Sequence, residues 1–471
     1  MQRSWTLVSR ASILFVLALT FGGLAVSARM DVGQQAQHDL EAKSVQEFGV
    51  VRGVDHSSTT SIDAATASTD PTKLATVARG LKVRVVTSGV AAPNLDMMAF
   101  WPNDQNPEWI IECNEQGTTD PGLQRIRVSD GKVETIVTGT DSCDPVHRTP
   151  WGTIVFGEEA DTTGHVYELI NPLATTDVTL DRITGTFSGG TGSENLVEHP
   201  ALGNLSFEGI AIYPNGVVYY GDENRPSKET SGGAYFKFIP SNLRDVNAGT
   251  ITSLDDSPLA SGSVYGLRLG MHGNSTDYGQ GSNTGLGNWI AVSSANLRQE
   301  AAELHLTGYY RPEDVAIDEA ALAVGNVRFC GNNTGNEFEA HNWGETICVT
   351  DGTLSDAGGN AAAPEVQDFQ LGTPERQMVD NIAYQPGRGD WILHEDADVG
   401  ETGKNDDLWA CLPDGADDDQ LSDGCLRIAT LNDLSAEWTG GAFDATGKRF
   451  FVSVQHNVTG HGVLLEISGW K

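Results

Sequence analysis

Acidic residues set into apolar, strand-like runs are the first feature of this sequence with chemical meaning. Glu158 and Glu159 follow WGTIVFG, Glu208 sits inside LSFEGIAIY, Asp222 and Glu223 end GVVYYGDEN, and Glu313 lies in YYRPEDVAI. His394, Glu395, Asp396 and Asp398 close GDWILHEDAD. A carboxylate beside strand residues is costly to bury unless a cation or a donor meets it. Converging carboxylates also repel one another, which points to hard cations such as Ca²⁺, Mg²⁺, Mn²⁺ or Fe³⁺. Any one of these acids alone reads equally as a salt-bridge partner or a solvated strand end. It is their shared placement that points to metal. Arg311 stands two residues before Glu313. Its guanidinium suits either a phosphate, held by two parallel hydrogen bonds, or a neighbouring glutamate.

The elements that must position these groups read as strands. From about residue 76 the chain alternates short apolar runs with Gly, Asn, Asp and Pro clusters, the pattern of strands and turns. A loose two-strand theme recurs in MMAFWPNDQNPEWIIECNEQG, TPWGTIVFGEEAD, FEGIAIYPNGVVYYGDEN, EDVAIDEAALAVGNVRFC, DNIAYQPGRGDWILHEDAD and GGAFDATGKRFFVSVQHN. Radial repetition of such a unit is what propeller blades look like in sequence. The expected fold is therefore all-β, a β-propeller of six blades filling residues 76–471, with the strand ends converging on one axis.

The rest of the chain sets the compartment. Arg3 and Arg10 flank the start of an apolar run, ASILFVLALTFGGLAV, which ends on Val26, Ser27 and Ala28. This predicts a secretory signal over 1–28, cleaved after Ala28, and residence outside the cytoplasm, secreted or periplasmic. Residues 29–75 are rich in Ala, Ser, Thr and Asp and predict a disordered leader or linker. The six cysteines fit disulfides in an exported chain. Proximity pairs Cys330 with Cys348 and Cys411 with Cys425. Cys113 and Cys143 remain, either bonded to each other or leaving Cys143 as a free thiolate. The net charge of −35 repels nucleic acid and anionic membrane and attracts divalent cations. No P-loop, HExxH, GxSxG or CxxC motif is present, which weakens NTPase, zincin, α/β-hydrolase and thiol-redox readings.

The segments CDPVHRTPWGTIVFGEE, SFEGIAIYPNGVVYYGDENRP with GGAYFKFIP, RPEDVAI, VDNIAY and TGGAFDATGKRFFVSVQH resemble, in order, motifs of the PhoX-type alkaline phosphatases. The resemblance spans roughly residues 94–460. It implies a six-bladed propeller using iron and calcium at an axial site to hydrolyse small phosphate esters. By position it implies Cys143 as an iron-bridging ligand and Glu158, Glu159, Glu208, Asp222 or Glu223, and Glu313 as metal ligands. Arg311 would hold the phosphate, and a metal-bound oxygen would be the nucleophile. The family's twin-arginine export pair is absent. Two other readings remain open: a calcium-binding propeller without turnover, and a calcium-dependent lactonase-like hydrolase.

Overall fold

The computed structural model describes residues 32–226, 232–270, 279–336, 342–397, 402–415 and 419–471. The predicted signal segment 1–28 and Asp398 lie outside them. Among the described residues the regular structure is predominantly β-strand, arranged as sheets around a common axis that are antiparallel except where Val178–Asp181 pairs in parallel with Val133–Thr138.

Each sheet begins on an inner strand: Leu95–Trp101, Cys143–Arg148, Ile210–Ile212, Pro312–Ile317, Val379–Tyr384 or Glu437–Phe443. Each inner strand packs on the next, and the last packs on the first, so they form a closed cycle. Successive strands meander outward because short turns such as PNG and DATG force antiparallel return. Large apolar side chains fill the wedges between neighbouring sheets. Phe100 of the first sheet, for example, meets Phe451 of the last edge-on at 5.3 Å. Closure is secured by hydrogen bonds from the chain's early part. The strand Lys82–Ala91 adds to Gly462–Ser468 on the last sheet, and Ala75–Val77 adds to Cys425–Leu431 on the sheet before.

The expected set of six separate sheets is corrected by the hydrogen bonding. Four sheets are separate, with five, six, four and four strands, and a fifth has nine strands. The nine-stranded sheet arises because two outer strands, Gly285–Val292 and Glu365–Leu371, meet through Gly285 with Val366 and Leu286 with Glu365. An outer edge that would otherwise offer unpaired amides is thereby covered.

The described part of the segment expected as a disordered leader differs too. Helices span Val32–Ala42, Ser44–Glu47 and Ala64–Thr69, the last capped by Asp63, whose carboxylate accepts the Thr66 N–H at 2.9 Å. Phe48, Val50, Ala67 and Leu74 are buried with Trp438, Phe450 and Ile428. A few well-spaced apolar side chains dock this polar stretch, and window composition does not register them. Phe48→Ala is expected to lower stability by about 3 kcal/mol, the cost of a large buried cavity, measured by urea unfolding. A loss below about 0.5 kcal/mol, the level of a surface substitution, would show that the segment does not dock in solution.

Candidate metal centre

The axial site is built by one backbone device used repeatedly. Asn94, Ser142, Arg311 and Met378 each stand immediately before an inner strand, and each has left-handed backbone, with φ of 56, 47, 57 and 50°. Such a conformation costs a non-glycine residue about 1 kcal/mol or more. Two residues later comes an acid in every case: Asp96, Asp144, Glu313 and Asp380. The pairing register then slips between Leu95 and Met98, Cys143 and Val146, Pro312 and Val315, and Val379 and Ile382. A bulge at this point re-aims the side chain it carries. Here it brings the acids together at the axis, while the residues after it resume packing between sheets. Glu208, two residues before Ile210–Ile212, and Glu437, which opens Glu437–Phe443, contribute from the remaining inner strands.

Two carboxylate triads result. Asp144, Glu159 and Glu208 each offer an oxygen within 4.8 Å of the others, and so do Glu208, Glu313 and Asp380. Glu208 belongs to both. Oδ1 of Asp144 and Oε2 of Glu313 are buried without a hydrogen-bond partner. Burial, then the Glu115, Glu223 and Glu313 charges, push Glu159 from 4.5 to about 9. Glu313 rises to about 8, chiefly through burial and against the opposing pull of Arg311. Asp96, Asp144, Glu208 and Asp380 are raised well above their usual values, first by burial and then by neighbouring carboxylates: Glu115, Asp314 and Asp396 act on Asp96, Asp96 and Glu159 on Asp144, Asp144 and Glu313 on Glu208, and Glu313 and Asp396 on Asp380. Buried, unpartnered, mutually repelling oxygens fit a hard cation, and they fit it better than they fit each other.

Arg311 is the guanidinium inside this ring. Its Nε donates to Glu223 Oε1 at 2.6 Å and lies 3.2 Å from Glu313 Oε1. The Thr334 hydroxyl donates to the same Glu313 oxygen. Two clefts reach the site. One, of about 540 Å³, is lined by Glu159, Ser206, Glu223, Arg225 and Arg298. The other, of about 360 Å³, is lined by Arg225, Arg311, Asp396, Glu437 and His456.

The acids expected from sequence divide cleanly. Glu159, Glu208, Glu223 and Glu313 reach the axis. Glu158 and Asp222, expected as metal ligands, do not. Glu158 accepts from Arg182 Nε at 2.9 Å and Nη2 at 3.1 Å, and Asp222 takes two bonds from Arg298 at 2.6 and 2.9 Å. The reason is strand periodicity. Consecutive side chains point to opposite faces, so in Glu158-Glu159, Asp222-Glu223 and Glu395-Asp396 only the second acid joins the axial groups. The first turns between sheets to Arg182, Arg298 and Lys404 respectively. His394, from the same strand end, is buried against Phe450 and kept neutral by burial, its pKa pushed down to about 3.

Cys143 is also corrected. Its sulfur is bonded to Cys113 and fully buried among apolar groups, so it is no thiolate ligand. Cys330–Cys348 and Cys411–Cys425 pair as expected. Asp96, Asp144 and Asp380 were missed in the sequence reading, although a signal for them exists. LDMMAF, CDPVHR, FEGIAI, PEDVAI and VDNIAY align as one repeat with an acid at its second position.

No protein-family model matches this chain, and no curated protein matches it in sequence. Solved structures do. Pseudomonas fluorescens PhoX in complex with vanadate, a transition-state analogue, aligns with TM-score 0.60 at 16% identity, over 87% of this chain and 97% of that one. A Xanthomonas campestris gluconolactonase aligns with TM-score 0.42 at 13% identity, over 88% and 95%. The PQQ-bound aldose sugar dehydrogenase of Streptomyces coelicolor gives 0.41 at 12%, over 83% and 99%. At these identities the likeness is one of fold. Fold and site together define a propeller-like protein with a carboxylate-lined axial centre. Among the described residues no helix is long and apolar enough to cross a membrane.

The raised carboxylates set a pH signature. Glu159 and Glu313 favour the protonated form in the folded state, so they add stability below their unfolded value of 4.5. That contribution is lost as pH climbs through about 8 to about 9. Chelated protein should therefore lose Tm steadily from about pH 5 to about pH 9. Calcium at a hundredfold its Kd should restore about 2.7 kcal/mol at the alkaline end. A calorimetric Tm that ignores calcium at alkaline pH would remove the cation centre.

Proposed function

We propose that this protein is a metal-dependent hydrolase of small phosphate esters. The observation that carries the reading is a guanidinium, Arg311, only 17% exposed, set beside two carboxylate triads that share Glu208. Cations alone would serve a neutral ester equally well. An arginine committed to the same ring favours an anionic substrate, and Arg225 on the wall of both clefts adds to that. Cations held by Asp144, Glu159, Glu208, Glu313 and Asp380 would polarise the phosphoryl group and activate water. Arg311 orients the phosphoryl oxygens. Its left-handed backbone and its bond to Glu223 fix the guanidinium before substrate arrives, so little reorganisation remains at the transition state. The Thr334 hydroxyl donates to the same Glu313 oxygen that the arginine faces and helps hold it in place.

The donor set is all oxygen once Cys143 is removed from it, which favours calcium, magnesium or manganese over a thiolate-bridged iron. The same disulfide favours a second reading, a calcium-binding propeller without turnover. The lactonase-like reading gains nothing from Arg311. We also read the nine-stranded sheet as two blades joined at their rims, giving six in all. Three disulfides suit an oxidising, extracytoplasmic location.

Glu313→Gln and Arg311→Ala should each lower phosphate release from p-nitrophenyl phosphate by about 10²-fold or more. In chelator Glu313→Gln should leave Tm little changed, whereas Arg311→Ala, which strips Glu223 and Glu313 of their guanidinium, should lower it without loss of the fold. Metals counted in the same sample complete the assay. Chelator-sensitive turnover in the parent supports the hydrolase. Folded, calcium-loaded protein that releases no phosphate leaves the second reading. Undiminished turnover in both variants would remove the proposed site.

A further inference from the structure

We propose that the Cys113–Cys143 disulfide is a brace that positions the axial cation centre. The inference rests on reading the axial acids as a cation centre. The three disulfides differ in kind. Cys330 with Cys348, and Cys411 with Cys425, are directly opposed residues on neighbouring strands of one sheet. They staple strands already paired by backbone hydrogen bonds. Cys113 lies on Trp109–Asn114 of the first sheet and Cys143 opens the inner strand of the next. This bond crosses between sheets that share no ladder.

Its position relative to the acids is specific. Asp144, a member of the first triad, follows Cys143 directly, and Glu115 follows Cys113 by two residues. Beyond Glu115, the Gln116 carbonyl accepts the Ser142 N–H at 2.9 Å. Glu115 is therefore bracketed by a covalent link on one side and a hydrogen bond on the other, and Asp144 follows directly on both links. Both brackets join the same two sheets. Glu115 contributes to the raised proton affinity of Asp144, so the two charges repel across this junction. That backbone hydrogen bond, the Arg182–Glu158 and Arg148–Asp104 ion pairs and the shared apolar wedge also oppose the repulsion, but the disulfide is the covalent member of the set and the one that adjoins Asp144. The sulfurs lie among Met97, Ile111 and Val146, fully buried, surroundings that disfavour a thiolate. The disulfide thus stands where the family resemblance puts a metal ligand, and acts on the ligands instead of being one.

The test reads cation binding and not turnover. Metal-stripped full-length protein is titrated with Tb³⁺ by luminescence and with Ca²⁺ by calorimetry. Three forms are compared: the parent, Cys113→Ala with Cys143→Ala, and Cys411→Ala with Cys425→Ala. Both double variants lose a cross-link and some stability. The brace predicts about a tenfold or greater loss of affinity in the first, as for removal of a group that orients a metal ligand. The second should bind as the parent does. Equal affinity in all three, or equal losses in both variants, overturns it. If the first variant fails to fold, Cys113→Val with Cys143→Ala, which refills the lost volume without the cross-link, carries the test. Weaker binding is expected, and unchanged binding overturns the brace. A parent that binds no cation removes the centre on which both this inference and the hydrolase reading rest. A parent that binds cation and shows the disulfide dependence, but releases no phosphate, overturns the hydrolase alone.

Discussion

Repulsion among buried carboxylates is the constraint around which the rest of this protein is organised. Asp96, Asp144, Glu159, Glu208, Glu313 and Asp380 are raised in proton affinity first by burial and then by neighbouring carboxylates of the axis, Glu115, Glu223 and Asp396 among them. Left to themselves such groups take up protons or move apart. They are held together by a closed cycle of inner strands, each pinned by the sheet behind it. The energy for that comes from elsewhere, from the apolar wedges between sheets and the hydrogen-bonded closure of the early strand Lys82–Ala91 onto the last sheet.

Part of the chain's backbone strain lies at the same place. The left-handed residues Asn94, Ser142, Arg311 and Met378 precede the bulged acids, and Asn94 eases its own backbone by donating its amide to the Glu115 carbonyl at 3.2 Å. A regular ladder would send every second side chain to one face and leave the acid either in the wedge or beside a neighbour's amide. The bulge breaks the count at one residue, so the acid turns to the axis while the apolar residues after it keep their packing. Arg311 combines both roles. It is the strained residue of its strand and the guanidinium of the site.

Charge outside the axis is handled by ordinary pairing. Glu158 with Arg182, Asp222 with Arg298, and Glu395 with Lys404 are partly or fully buried couples just behind the axial acids. Each sits on the residue before an axial acid and fixes the strand end that carries it. Breaking such a couple would leave an unpaired buried charge, so these couples are structural supports of the centre and not members of it.

Much of this was legible in the sequence. The strand-and-turn rhythm with its recurring two-strand unit determined an all-β, propeller-like fold, because period-two apolar runs bounded by Gly and Asn can do little else. Acids embedded in those runs marked Glu159, Glu208, Glu223 and Glu313, since a carboxylate there requires a partner. Sequence also offered, unread, the repeat that places Asp96, Asp144 and Asp380. The tertiary structure alone decided which acid of each adjacent pair faces the axis, because the phase of a strand is set by its bulge and its sheet and not by its composition. It alone decided that Cys143 meets Cys113, since those residues come close only when two sheets pack. It also decided that residues 44–74 dock, because Phe48 and Leu74 find a surface that exists only after the last sheets have formed.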